Sequence, residues 1–166
     1  MLAMGAMLVA IGLLVDISAA GQTSSVGGAG SAFAWAQGTM FLGETALLAG
    51  ISFLLGTILG AIRSGGGEVQ QSLGLTVKTL RMPSTAKAFV GLMVAGVMVG
   101  MLQFIGYAVV ATSSQPDTAA AFAGLGPLRE VGLGLLLAGI VLALATIAKA
   151  LSFQFSRVTE IISSGR

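Results

Sequence analysis

Cysteine and histidine are both absent from the chain. Without thiolate or imidazole there can be no disulfide, no iron–sulfur cluster, no structural zinc site and none of the common imidazole ligands of haem and copper. Charge is nearly as scarce, with eight basic and six acidic side chains among 166 residues, or 8%. A water-soluble domain normally carries about 25%, which clothes its surface. The few basic residues form no cluster interleaved with aromatics, so a nucleic-acid face is not indicated. Lipid must be the solvent for most of this chain.

What fills the sequence instead is apolar. Hydrophobic residues make up 55%, and the mean hydropathy is +0.99. Each helix that crosses a hydrocarbon core of about 30 Å takes roughly 20 residues. Four apolar runs of that length can be placed, at about 1–20, 33–62, 86–111 and 128–155. They predict an all-α integral membrane protein with one membrane domain over 1–166. No Lys or Arg precedes the first run, so it reads as a span and not as a cleaved signal. Gly/Ser/Thr-rich and Pro-containing stretches at 21–32 and 113–127 read as loops. Gly65-Gly66-Gly67 reads as a helix-breaking linker, and 63–85 as an amphipathic connection on the membrane surface, with Val69, Leu73, Val77 and Leu80 at helical spacing. Ser84 is the expected N-cap of the third span.

Basic residues set the orientation. Arg63, Lys78, Arg81 and Lys87 fall between the second and third runs, and Lys149, Arg157 and Arg166 fall at or beyond the end of the fourth. The positive-inside rule puts both termini and the middle connection in the cytoplasm. Trp35, Arg63, Tyr107, Lys149 and Arg157 are the expected interface anchors. With no organelle targeting signal visible, the expected location is the plasma membrane of a prokaryote, the inner membrane where there are two.

Shifting the chain by 89 positions lays it on itself without a gap. Thr23-Ser24-Ser25 meets Thr112-Ser113-Ser114, Ala32-Phe33-Ala34 meets Ala121-Phe122-Ala123, and Gly43 meets Gly132. Leu47-Leu48-Ala49-Gly50-Ile51 meets Leu136-Leu137-Ala138-Gly139-Ile140, and Thr57-Ile58 meets Thr146-Ile147. This predicts a tandem repeat, about 1–77 and 90–166, each copy a hairpin of two spans inserted with the same topology. The expected architecture is a four-helix bundle of two pseudo-equivalent hairpins. Gly56-xxx-Gly60, Gly96-xxx-Gly100 and Gly134-xxx-Ala138 have the spacing that lets helix backbones approach closely in lipid. They are assigned to helix packing.

An ionisable side chain within a span costs about 2.5 kcal/mol or more, and so marks a candidate site. Glu44 lies nine residues past Trp35, about 14 Å along a helix. It is either a proton or cation site or a structural acid bonded to Gln103, Thr45 or a neighbouring subunit, and the structural reading is preferred. Asp16, near the outer end of the first span, suits an interfacial or partner-facing role. Gln103 and Tyr107, one turn apart, predict a polar seam, though Tyr107 equally suits the aromatic belt. Arg129 and Glu130 are placed in solvent at the outer mouth of the fourth span.

No set of nucleophile, base and orienting group can be assembled, and Gly65-Gly66-Gly67 lacks the lysine and strand of a phosphate loop. No enzyme activity and no cofactor are expected, only contact with lipids. Scattered methionines are read as packing filler rather than metal ligands. The favoured function is a non-catalytic accessory subunit that packs against the catalytic or electron-carrying subunits of a larger membrane complex. Its partners would be other transmembrane subunits, with self-association also open. The alternative is a small oligomeric channel or transporter with Glu44 on the path. A membrane enzyme or receptor with a cryptic lipid site comes third.

Overall fold

The computed structural model describes residues 2–20, 26–72, 74, 83–113 and 118–164. All regular structure among them is helical: α1 (Leu2–Ala20), α2 (Val26–Ser72), α3 (Ser84–Thr112) and α4 (Thr118–Ser164). Helices are what an apolar chain in lipid is driven to, because each satisfies its backbone groups internally. Three stretches are long and apolar enough to cross a membrane: Gly30–Ile62, Ser84–Thr112 and Ala123–Ser156. The apolar stretch of α1, Leu2–Ser18, is shorter.

Several boundaries differ from those read in the sequence. Gly65-Gly66-Gly67 does not break α2, which runs through it to Ser72. Glycine costs a helix about 1 kcal/mol against alanine but does not forbid it, and the turns on either side carry it. The break comes at Gly74, whose positive φ of 65° turns the chain while its N–H donates to the Gln71 carbonyl at 3.1 Å. Only the first part of the expected surface connection is therefore seen, as an extension of α2. Leu73, Val77 and Leu80 lie outside the described residues, as does the Pro116-Asp117 turn.

The second difference is at the start of α4, which begins at Thr118, so Pro127 sits inside a helix and not in a loop. Proline there removes the N–H that would bond the Ala123 carbonyl. α2 likewise starts at Val26, earlier than the expected 33. The cap of α3 is Pro83 in extended conformation, with no side-chain hydrogen bond, and Ser84 is already helical.

Helices α2, α3 and α4 pack on one another, α1 packs on α2 and α3 on α4, and among the described residues α1 touches α2 alone. Within the expected four-helix arrangement, α2, α3 and α4 form the core and α1 is laid against one flank, on α2. Glycines set both hairpin seams. A Cβ on Gly5 would meet the Leu47 nitrogen at 2.8 Å, one on Gly12 the Met40 nitrogen at 2.9 Å, and one on Gly43 the Val9 nitrogen at 2.7 Å. Between α3 and α4, a Cβ on Gly96 would meet Leu136 Cγ at 2.6 Å and one on Gly132 would meet Val99 Cγ1 at 3.2 Å. Gly100 is filled by Thr45 of α2. The other two small-residue pairs do not pack in this way. Gly60 and Gly134 have nothing within 4 Å of a Cβ, Gly56 only the edge of Phe89 at 3.9 Å, and Ala138 is exposed. Gly60, Gly134 and Ala138 lie on outward faces of α2 and α4.

Candidate functional site: an ion pair within the three-helix core

Glu44 and Arg129, 85 positions apart in sequence, meet between α2 and α4. The guanidinium forms a fork on the carboxylate. Arg129 Nη2 donates to Glu44 Oε1 at 2.8 Å and to Oε2 at 3.1 Å, and Nε donates to Oε2 at 3.2 Å. Both side chains are mostly covered, 26% exposed for Glu44 and 33% for Arg129. Arg129 also lies over the Phe41 ring, its Cζ 4.4 Å from the centroid. Phe41 is one turn before Glu44 on α2, so one helix face supplies both the carboxylate and an aromatic floor.

Around the pair stands a ring of buried side chains. Phe41 and Tyr107 are 4% and 1% exposed, with ring centroids 5.7 Å apart. They form one cluster with Ala34 and Ala111, flanked by Val110 and Leu125. One turn from Tyr107, the buried Gln103 donates its Nε2–H to the Leu125 carbonyl at 3.1 Å. Leu125 lies two residues before Pro127, in the turn where the proline loosens the ladder of α4. At one end of the core, Ser31 Oγ donates to the Ala111 carbonyl at 2.6 Å. Further along the core the Thr146 and Thr85 hydroxyls are 2.9 Å apart. Gln154 Nε2 donates to the Ile62 carbonyl at 2.7 Å. These bonds stitch α2, α3 and α4 together at four levels.

Several expected positions are corrected by this geometry. Arg129 is not a solvated residue at the mouth of α4; of the two charges there, Glu130 is the exposed one. Glu44 is bonded to Arg129 and not to Gln103 or Thr45. Tyr107 is a core aromatic and not a belt anchor, because Phe41 and the Arg129 layer cover it. Gln103 and Tyr107 are both buried on α3, Tyr107 within the cluster of Ala34, Phe41 and Ala111. Trp35 is 39% exposed, with its ring 6.4 Å from Phe104, and Lys149 is exposed. The side chains of Arg63 and Arg157 lie outside what the structure describes.

Asp16 stands apart from the pair, on α1 one turn beyond Gly12. Its Oδ1 is enclosed without a hydrogen-bond partner, and so is Ser52 Oγ on α2. An apolar groove of about 520 Å³, lined by Leu2, Ala3, Gly50, Phe53 and Leu54, opens where the start of α1 meets α2. No group of three or more acidic residues stands close enough to hold a metal ion among the described residues.

Sequence reasoning found Glu44 and missed its partner. The signal was available: Pro127 and Arg129 sit in a stretch whose apolar residues already keep helical spacing, and an arginine just inside a span needs a counter-charge. No known protein family, curated protein or solved structure matches this chain.

Proposed function

We propose that this chain is a membrane-embedded scaffold, a non-catalytic subunit that packs against and steadies the other transmembrane subunits of a larger complex. The observation that supports this reading best is the fork between Arg129 and Glu44. A carboxylate that carries protons or cations across a membrane must exchange its ligand. One held by a two-point arginine, itself stacked on Phe41, is built to hold two helices in register. Gln103, Thr146 and Gln154 likewise end on neighbouring helices.

In the same reading all four helices cross, α1 included, with both termini on the cytoplasmic side of a prokaryotic plasma membrane. We further propose that the chain arose as a duplicated hairpin. Gly43 and Gly50 of α2, seven residues apart, lie on the α1 seam, and Gly132 and Gly139 of α4 lie on the α3 seam. The 89-residue shift equates the two pairs. The cross-links between α2 and α4 join residues 85 and 92 apart, which brackets that shift.

The test is purification from native membranes in a gentle detergent, followed by mass spectrometry of everything retained. Fixed stoichiometry with other membrane subunits is the expected result. Arrival with no other protein overturns the subunit reading. The channel alternative then stands or falls on flux through reconstituted vesicles, which must vanish in Glu44→Gln if Glu44 is on the path.

A further inference from the structure

Three charges fall at one height of the bundle, and only two of them meet. Arg129 is held on Glu44 by three hydrogen bonds. The next residue, Glu130, is exposed on the outward side of α4. Its depth follows from the pair. Glu44 lies close to the middle of the apolar stretch Gly30–Ile62, and Glu130 itself lies inside the stretch Ala123–Ser156. A carboxylate there faces lipid and is too short to snorkel to the headgroups as lysine does. It is costly unless a cation meets it.

No other basic side chain of the chain reaches it. Lys149 is 19 positions further along α4, about 28 Å away. Lys87 is 13 positions before Gly100, which packs beside Gly132, and so lies about 20 Å off along the bundle. Arg63 is 19 positions past Glu44 on α2, and Arg157 is 27 past Glu130 on α4, on helices that carry both away. Arg166 is further still. Lys78 and Arg81 belong to the eight residues between Gly74 and Pro83, which span at most about 30 Å of extended chain. Pro83 alone is 17 positions from Gly100, or about 25 Å, and Gly74 is further from Glu44. A segment tied at both points is too short to climb to Glu130 and return. A second copy in the same orientation offers at this height only another Arg129, held by its own Glu44.

The surface around Glu130 suits a helix. Ala123, Pro127, Gly134, Ala138 and Val141 lie on the same side of α4 and are all exposed. A Cβ on Gly134 would meet nothing within 4 Å. Small side chains of this kind let another helix come close to the backbone in lipid, where packing and polar contacts hold helices together.

We propose that this face docks a transmembrane helix of a different protein, one that carries an arginine or lysine at the height of Glu130 and pairs with it. The inference rests on the reading of the chain as a subunit of a larger complex and deepens it, by naming the face and the charge that the partner brings. Charge complementarity selects the occupant, because lipid tails carry no cation and a second copy has its arginine engaged.

The test uses the full chain in native membranes. Benzoylphenylalanine is placed at Leu137 or Val141 on the proposed face, and at Val94 or Met98 on the outward side of α3 as controls. After irradiation, mass spectrometry identifies the cross-linked peptide. Leu137 and Val141 should both join one transmembrane helix of another protein, with an arginine or lysine inside its span. The yield should be about fivefold or more that of the α3 positions, as for a seated helix against chance encounter. Glu130→Lys should then cut retention of that protein in gentle detergent about tenfold, and the partner's base changed to glutamate should restore it to within about twofold. Glu130→Gln, which keeps the size of the side chain, should lower retention about threefold and guards against misfolding of the lysine variant.

With the complex intact, several results overturn the proposal and leave the subunit reading standing. They are a cross-linked helix with no basic residue in its span, cross-links to a second copy, and equal yields from α3. Retention unmoved by Glu130→Lys, or a reversed partner that restores nothing, does the same. If the unsubstituted chain retains no protein at all, the subunit reading fails and the docking face fails with it.

Discussion

Arg129 and Glu44 are each costly in a membrane and tolerable together, so the pair responds to single and double substitution in opposite ways. Glu44→Gln leaves a guanidinium among Phe41, Tyr107 and Leu125 without its counter-charge. Breaking one side of a covered pair in this manner costs about 2–3 kcal/mol. Arg129→Gln costs a similar amount. The double change to glutamine at both positions should recover most of it, because it leaves no uncompensated charge between the helices. Thermal unfolding of the four proteins in one detergent gives the double-mutant cycle, and additive losses would show that the two side chains are not coupled. Phe41→Leu removes the aromatic floor and should weaken the chain by about 1 kcal/mol. Why Glu44 was legible in the sequence and Arg129 was not is physical. A lone carboxylate deep in an apolar run has one interpretation, whereas an arginine two residues past a proline and beside a glutamate has the look of a loop. Only the tertiary contact shows which of Arg129 and Glu130 turns inward.

At the level of elements, glycine has two roles here that spacing alone does not separate. Gly96 and Gly100 sit where α3 meets Leu136 and Thr45, whereas Gly60 and Gly134 have the same small-xxx-small neighbours and face outward. The difference lies in which side of the helix the rest of the core occupies, and in a helix apolar all round no periodicity reports that. Gly43→Leu should therefore force α1 from α2, since Val9 backbone fills the space. Overpacking of this kind costs about 1–3 kcal/mol. Gly60→Leu should leave unfolding unchanged within error. Equal melting shifts for the two would contradict the seam assigned to Gly43. The positions of α2, α3 and α4 were readable because hydrophobic length is a strong signal. Their ends were not: the triple glycine and Pro127 are breakers by propensity, and a long apolar helix carries both.

For the molecule as a whole, orientation rests on charge and the fourth crossing rests on α1. Lys87 and Lys149 are exposed at one end of the core, and the opposite end holds Ser113 and the last turn of α1 with Ser18. If α1 crosses, Ser18 and Ser113 lie outside, while Ser72 and Ser156 lie inside. Because among the described residues α1 touches α2 alone and its apolar stretch is the shortest, this is the helix whose placement most needs measuring. Cysteine introduced singly at these four serines answers it, with a membrane-impermeant maleimide applied to intact cells. Ser18→Cys and Ser113→Cys should label at once, and Ser72→Cys and Ser156→Cys only after the membrane is opened. Labelling of Ser113→Cys from outside, with Ser18→Cys protected until permeabilisation, would mean that α1 does not cross. The reverse of the whole pattern would mean that the basic residues face outward, against the bias that governs insertion of short loops.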